Sequence, residues 1–207
     1  MSLTERRRML AQAGSGQDWD FKWDFTMGKL EEQTGWTASV SGSGSTSLTA
    51  NGEEFVTATG SYLQVGPGSN HPQASALRRF TENGYGVVEA VMYGSFSPTG
   101  ANLRITAAAS NQKRITLFQY GGKWKLYDNT SLVACSVLAD AVNNTEYKVR
   151  IVFKDTAADI YINGELAAAD LDTSKTVYGS TNSVMHQNGG SGYYAVLKSL
   201  KIKCGRI

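Results

Sequence analysis

The chain has 207 residues, 41% of them apolar, with 22 glycines and 3 prolines, and its 20 basic residues against 18 acidic ones leave a formal charge of +2. That balance excludes a dedicated binder of nucleic-acid backbones, which needs a marked basic excess, and the apolar content excludes a disordered chain. No stretch reaches the ~18 apolar residues of a membrane helix, and the charged opening has no apolar run behind it, so neither membrane insertion nor an ordinary secretory signal is expected.

A single folded domain is expected, because β-sandwiches run to about 200–250 residues as one unit. Residues 3–13 have helical composition: Thr4 as a cap, then Glu5, the run Arg6, Arg7, Arg8, and Met9, Leu10 and Ala11. Gly14, Ser15 and Gly16 break it. Residues 1–17 therefore read as a basic arm and linker, and residues 18–207 as the domain. The arginine run reads either as a solvated helix face or as a dock for a protein partner.

Beyond the arm the period is 2. Strands are predicted at Glu54–Ala58, Tyr62–Val65, Gly86–Tyr93 and Leu103–Ala108. Arg114–Tyr120 and Lys123–Tyr127 flank Gly121-Gly122, whose glycines accept positive φ at no steric cost and so predict a hairpin. Glu146–Lys154 sets Tyr147, Val149, Ile151 and Phe153 on one face and Lys148, Arg150 and Lys154 on the other, with Val152 out of phase. Asp159–Ile162 repeats the alternation and runs into Asn163-Gly164, a tight-turn pair, before Glu165 and Leu166. In Tyr194–Lys203, Leu200, Ile202 and Cys204 alternate with Lys201 and Lys203. The Gly-Ser-Gly-Ser run at 42–45 is a loop within the domain, and there is no internal repeat. Many short strands joined by turns predict an all-β, two-sheet antiparallel sandwich.

The stretch from Tyr147 through Phe153 to Ile160, Ile162, Asn163 and Gly164 resembles the hairpin of concanavalin A-like and laminin G-like jelly-roll domains. Trp23-Asp-Phe-Thr and Trp36 resemble that family's opening strand, Gly86 to Tyr93 its central strand, and Ala195 to Ile202 its closing strand. The likeness spans roughly residues 20–204 and implies the jelly-roll fold; the fold hosts lectins, hydrolases, adhesion modules and spacers alike. The basic opening also resembles that of phage and prophage structural proteins, which implies a virion component, cytoplasmic before assembly.

Glycoside hydrolysis needs two carboxylates about 5–10 Å apart. Hydrolases of this family place them two and four residues apart on one strand, whereas here Glu89 is followed on the same face by Val91 and Tyr93. Glu31 and Glu32 are adjacent and alternate across a strand, while Asp155 and Asp159 read as acids bracketing a turn. There is no Gly-x-Ser-x-Gly elbow, and a serine triad would have to recruit His71 or His186 from glycine-rich loops. Cys135 and Cys204 lack CxxC spacing and, with His71 and His186 the only histidines, no zinc site is expected; the two cysteines read as buried thiols, with a disulfide between them as the alternative. No cofactor is required; calcium is the one ion the loops could hold, through oxygens such as those of Asp170 and Asp172.

Sugar recognition uses aromatic rings against the apolar sugar face and amides or charged groups on its hydroxyls. Trp124 and Tyr127 share a hairpin strand but are out of phase, so only one faces inward; Trp19, Trp23 and Trp36 read as packing at the domain edge. The loop His186-Gln-Asn188-Gly-Gly-Ser-Gly-Tyr193-Tyr194 is polar and carries two rings at its foot. The ligand candidates are thus Trp124, Tyr127, His186, Asn188, Tyr193 and Tyr194. The function expected is a non-catalytic binding or structural module, recognising a surface carbohydrate or a neighbouring subunit. The alternatives are a glycan hydrolase with an atypical arrangement around Glu89, and a purely architectural subunit that homo-oligomerises through a sheet face or edge.

Overall fold

Seventeen strands follow one another with no helix between them among the described residues. The computed structural model describes residues 18–24, 36–41, 49–50, 53–54, 56–58, 63–65, 73–80, 85–94, 99–107, 114–120, 122–128, 131–132, 140–154, 157–172, 182–187 and 195–204. The arm at residues 3–13 lies outside them.

In chain order the strands are β1 (Phe21–Asp24), β2 (Trp36–Ser41), β3 (Thr49–Ala50), β4 (Glu53–Glu54), β5 (Val56–Ala58), β6 (Leu63–Val65), β7 (Gln73–Phe80), β8 (Tyr85–Gly94) and β9 (Thr99–Ala107). They continue as β10 (Arg114–Tyr120), β11 (Lys123–Asp128), β12 (Ser131–Leu132), β13 (Tyr147–Phe153), β14 (Ala157–Ile162), β15 (Glu165–Asp172), β16 (Asn182–Gln187) and β17 (Ala195–Cys204). The expected strands are present, with Glu54–Ala58 split into β4 and β5. The sequence pattern does not predict β3, β7, β12, β16 or the full length of β15.

Two antiparallel sheets hold nearly all of them. The first has eight strands in the order β15-β14-β13-β8-β17-β6-β5, with β1 added against β17. The second has seven, in the order β12-β11-β10-β9-β16-β7-β2, and β3 pairs with β4 in a small ribbon. Antiparallel pairing sets residues directly opposite one another on the same face, so each cross-strand row belongs wholly to one side of its sheet.

The core lies between the two sheets. On the first sheet Tyr147, Val149, Ile151 and Phe153 of β13 are buried, as their alternation predicts, together with Val88, Ala90 and Met92 of β8 and Leu200 and Ile202 of β17. The second sheet contributes Leu117, Gln119 and Trp124, all fully buried. The Trp124 ring meets Tyr147 edge-on across the gap, with centroids 5.3 Å apart and planes at 81°, an arrangement the ring quadrupoles favour. The Tyr147 hydroxyl accepts a hydrogen bond from the Val142 backbone N–H at 2.7 Å, which leaves its polar end satisfied. Val152, the misfit in β13, is buried on the opposite face, in one row with Val87.

The turn pair behaves as its residue types dictate. Asn163 and Gly164 have φ of 53° and 85°, the left-handed values of a tight hairpin turn. Asn163 further locks the hairpin, its side-chain Oδ1 accepting from Lys148 N at 2.9 Å and its own N–H donating to Lys148 O at 2.8 Å.

Candidate functional site

The two sheets present outer faces of different character. On the first sheet, register sets Lys22, Lys201, Glu89, Arg150 and Tyr161 in one cross-strand row. Glu89 is only 6% exposed, and its carboxylate lies 3.3 Å from Lys148 Nζ, 3.5 Å from Lys201 Nζ and 4.0 Å from an Arg150 nitrogen. The Lys201 ammonium sits 5.8 Å from the centroid of the half-buried Trp19 ring. Glu89 is therefore the centre of a cation cluster, and its same-face neighbours on β8, Val87 and Val91, bring no second carboxylate.

Further ion pairs tie the first sheet together. Asp20 accepts from the Cys204 backbone N–H at 2.7 Å and from Lys203 Nζ at 3.0 Å. The Cys204 N–H and then the Lys203 ammonium hold the Asp20 carboxyl below its ordinary value. Cys204 itself is half-buried rather than buried as expected, because β17 ends there at the sheet margin. Cys135 lies outside the described residues.

Asp159 is a strand residue at 9% exposure, not a loop acid. It accepts from Lys154 Nζ at 2.7 Å and from the Asp170 N–H at 2.9 Å, while Lys154 Nζ also donates to Asp170 Oδ1 at 2.7 Å. Burial pulls the Lys154 ammonium down, but its bonds to Asp159 and Asp170 outweigh that and leave it above its ordinary value. Asp170, read from the sequence as a loop acid whose oxygens could hold calcium, is a residue of β15 already bonded to a lysine ammonium. Asp172 likewise ends β15. No group of three His, Cys, Asp or Glu that could hold a metal occurs among the described residues. Glu31, Glu32, Asp155 and His71 lie outside those residues.

On the second sheet the buried Leu117 identifies the inward rows. Leu117 stands opposite Leu103, which stands opposite His186, which stands opposite Ala76. His186 is therefore in β16, not a loop, and in a core-side row. Trp124 is a correction of the same kind: it is fully buried against Tyr147, so its ring has no face to offer a sugar. Tyr127, out of phase with Trp124, is in an outward row, opposite Thr116 and Leu132. The ligand candidates of that hairpin thus fall on opposite sides of the sheet. Asn188, Tyr193 and Tyr194 lie outside the described residues.

The outward rows assemble residues that sequence order keeps far apart. One row runs Lys125, Phe118, Asn102, Gln187, Ser75, Ser39. The next runs Tyr127, Thr116, Arg104, Met185, Leu77, Thr37. The third runs Arg114, Thr106, Ser183, Arg79. Residues of amide, hydroxyl, guanidinium and aromatic type thus hold adjacent register positions on one face of six neighbouring strands. Among the described strand positions of this face there is no Asp or Glu; Lys123 at its rim is ion-paired with Asp140. Of the described residues expected at a ligand site, only Tyr127 belongs here. Asn102, Arg104, Phe118 and Gln187 were missed, since only the pairing of β16 with β9 brings residues 102 and 187 together.

No family model matches the sequence, and neither does any curated protein. Solved structures do share its architecture. A sialidase matches with a TM-score of 0.65 at 12% identity over 89% of this chain, which spans 18% of the sialidase chain. A β-glucanase of Bacillus licheniformis matches with a TM-score of 0.55 at 15% identity, over 92% of this chain and all of the other. The carbohydrate-binding module CBM66 of Bacillus subtilis matches with a TM-score of 0.54 at 13% identity, over 83% of this chain and 98% of the module. The likeness is one of fold: the chain is an antiparallel jelly-roll sandwich of the concanavalin A-like kind expected from its hairpin.

Proposed function

We propose that the chain binds a glycan without cleaving it, through the outward face of the second sheet. The observation that carries this is the composition of that face: side-chain amides at Asn102 and Gln187, hydroxyls at Thr116, Ser75 and Thr106, and rings at Phe118 and Tyr127, in adjacent cross-strand rows. Amides and hydroxyls match sugar hydroxyls as donors and acceptors, and aromatic rings match the apolar faces of sugars. Sharing a fold with a carbohydrate-binding module and a β-glucanase supports a glycan as the ligand class.

Cleavage would need a carboxylate pair. The described strand positions of the proposed face hold none, and Glu89, on the other sheet, is engaged by three cations. The finer reading, a virion module docked through residues 1–13, draws its support from the sequence resemblance; mass spectrometry of purified particles should then detect the chain.

The direct test is a glycan array with the intact chain and its Asn102→Ala variant, beside reducing-sugar assays on a polysaccharide panel with Glu89→Gln. The expected outcome is array binding that Asn102→Ala loses and no reducing sugar released. Hydrolysis that disappears in Glu89→Gln would replace this reading with the enzymatic one, and a blank array would favour an architectural subunit.

A further inference from the structure

The charge pattern of the proposed face narrows its ligand, an inference that rests on the glycan-binding reading above. Arg114 on β10 and Arg79 on β7 close the two ends of a single row, with Thr106 and Ser183 between them. Arg104 stands in the adjacent row, on β9. At ~4.8 Å between neighbouring strands, the two end positions are about 14 Å apart, with the third between them along the sheet. Among the described strand positions no acidic residue shares these rows. The first sheet is the reverse: Lys148, Arg150 and Lys201 surround Glu89, Lys203 is paired with Asp20, and Lys198 is paired with Glu146. In a chain whose formal charge is only +2, the described strand positions of this face thus hold three arginines and no acid.

Arginine suits a carboxylate better than a hydroxyl, because its planar fork donates two parallel charge-assisted bonds to the two oxygens. Spread over three strands and two rows, the three arginines fit a chain of sugars rather than one terminal unit. We infer that the ligand is an acidic polysaccharide whose sugar carboxylates are met by Arg79, Arg104 and Arg114, while Asn102 and Gln187 take its hydroxyls.

Affinity electrophoresis of the full chain through gels holding polygalacturonate, polysialic acid, neutral dextran, dextran sulfate or single-stranded DNA tests this. Retardation by the carboxylated polymers is expected, weakening between about 0.05 and 0.5 M salt as screening grows. Arg104→Gln and Arg79→Gln, checked for folding by thermal melts, should each weaken it about tenfold. Lys22→Gln removes the same charge from an exposed position on the first sheet and should leave it unchanged.

Equal retardation by dextran, lost in Asn102→Ala but kept in Arg104→Gln, would overturn the inference and leave the glycan-binding face standing. Failure of every polysaccharide would overturn both. Dextran sulfate or DNA held more tightly than the carboxylated polymers, with Lys22→Gln as weakening as Arg104→Gln, would mark a general attraction for polyanions and overturn the assignment to sugar acids.

Discussion

Trp124 shows how one side chain can satisfy two sequence readings and only one structure. Its phase with Leu126 already placed it opposite Tyr127, but its partner Tyr147 comes from the other sheet, and no local pattern reveals that contact. Losing the ring should empty a core site, so Trp124→Ala is expected to lower stability by about 3–5 kcal/mol in urea unfolding. Gln119, directly opposite Trp124, is fully buried with neither amide atom hydrogen-bonded, and the Trp124 indole N–H beside it is likewise unpartnered. No protein group bonds that buried amide in the fold. Gln119→Met keeps a similar length and removes the deficit, so the unfolding midpoint should rise, by about 1–3 kcal/mol in free energy; a fall would show that the amide is satisfied in solution. The alternation of β10 marks Gln119 as inward, yet a polar residue there reads locally as a break in the pattern.

Strands were legible where large apolar residues alternate strictly, as in β13, and where glycines or Asn-Gly mark a turn. β7 and β16 were not, for a physical reason visible in their rows. In β7 the inward positions run Ala74, Ala76, Arg78 and Phe80, two small residues and a charged one before a single large apolar residue, while Leu77 occupies an outward position, so the apolar alternation is weak. In β16 Met185 is outward and His186 inward, which inverts the expected alternation. Both strands are held by neighbours on either side, so tertiary pairing overrides a weak local pattern.

At turns the reverse holds, and residue type decides. Gly164 has φ of +85° with nothing within 4 Å of where a Cβ would stand. Gly164→Ala should therefore cost only the backbone penalty of that conformation, about 1–2 kcal/mol by chemical denaturation; a larger loss would mean the side of the turn is covered.

The β1–β17 seam offers a pH-dependent test. Asp20 has a lowered carboxyl pKa in the folded chain, through the Cys204 N–H and Lys203. Its contribution is full above the unfolded value of about 3.9 and is lost as the pH falls through the folded one. The melting-temperature gap between wild type and Asp20→Asn should then close on acidification below about pH 4. A gap independent of pH would mean that the tie does not depend on the ionised carboxylate.

Over the whole molecule, the sandwich separates two kinds of surface. The first sheet neutralises its buried Glu89 with cations contributed by neighbouring strands, while the described outward positions of the second sheet hold residues of amide, aromatic and arginine type in rows without acids. The fold was readable from the hairpin and the strand spacing, but the candidate site was not, because its rows join residues from 37 to 187 across strands that are distant in sequence. The most direct measurement is a calorimetric titration of the array-selected glycan into Asn102→Ala and Lys148→Ala, one substitution on each sheet. Binding lost in the first and retained in the second is the predicted result; binding retained in Asn102→Ala and lost in Lys148→Ala would contradict the assignment of function to the second sheet.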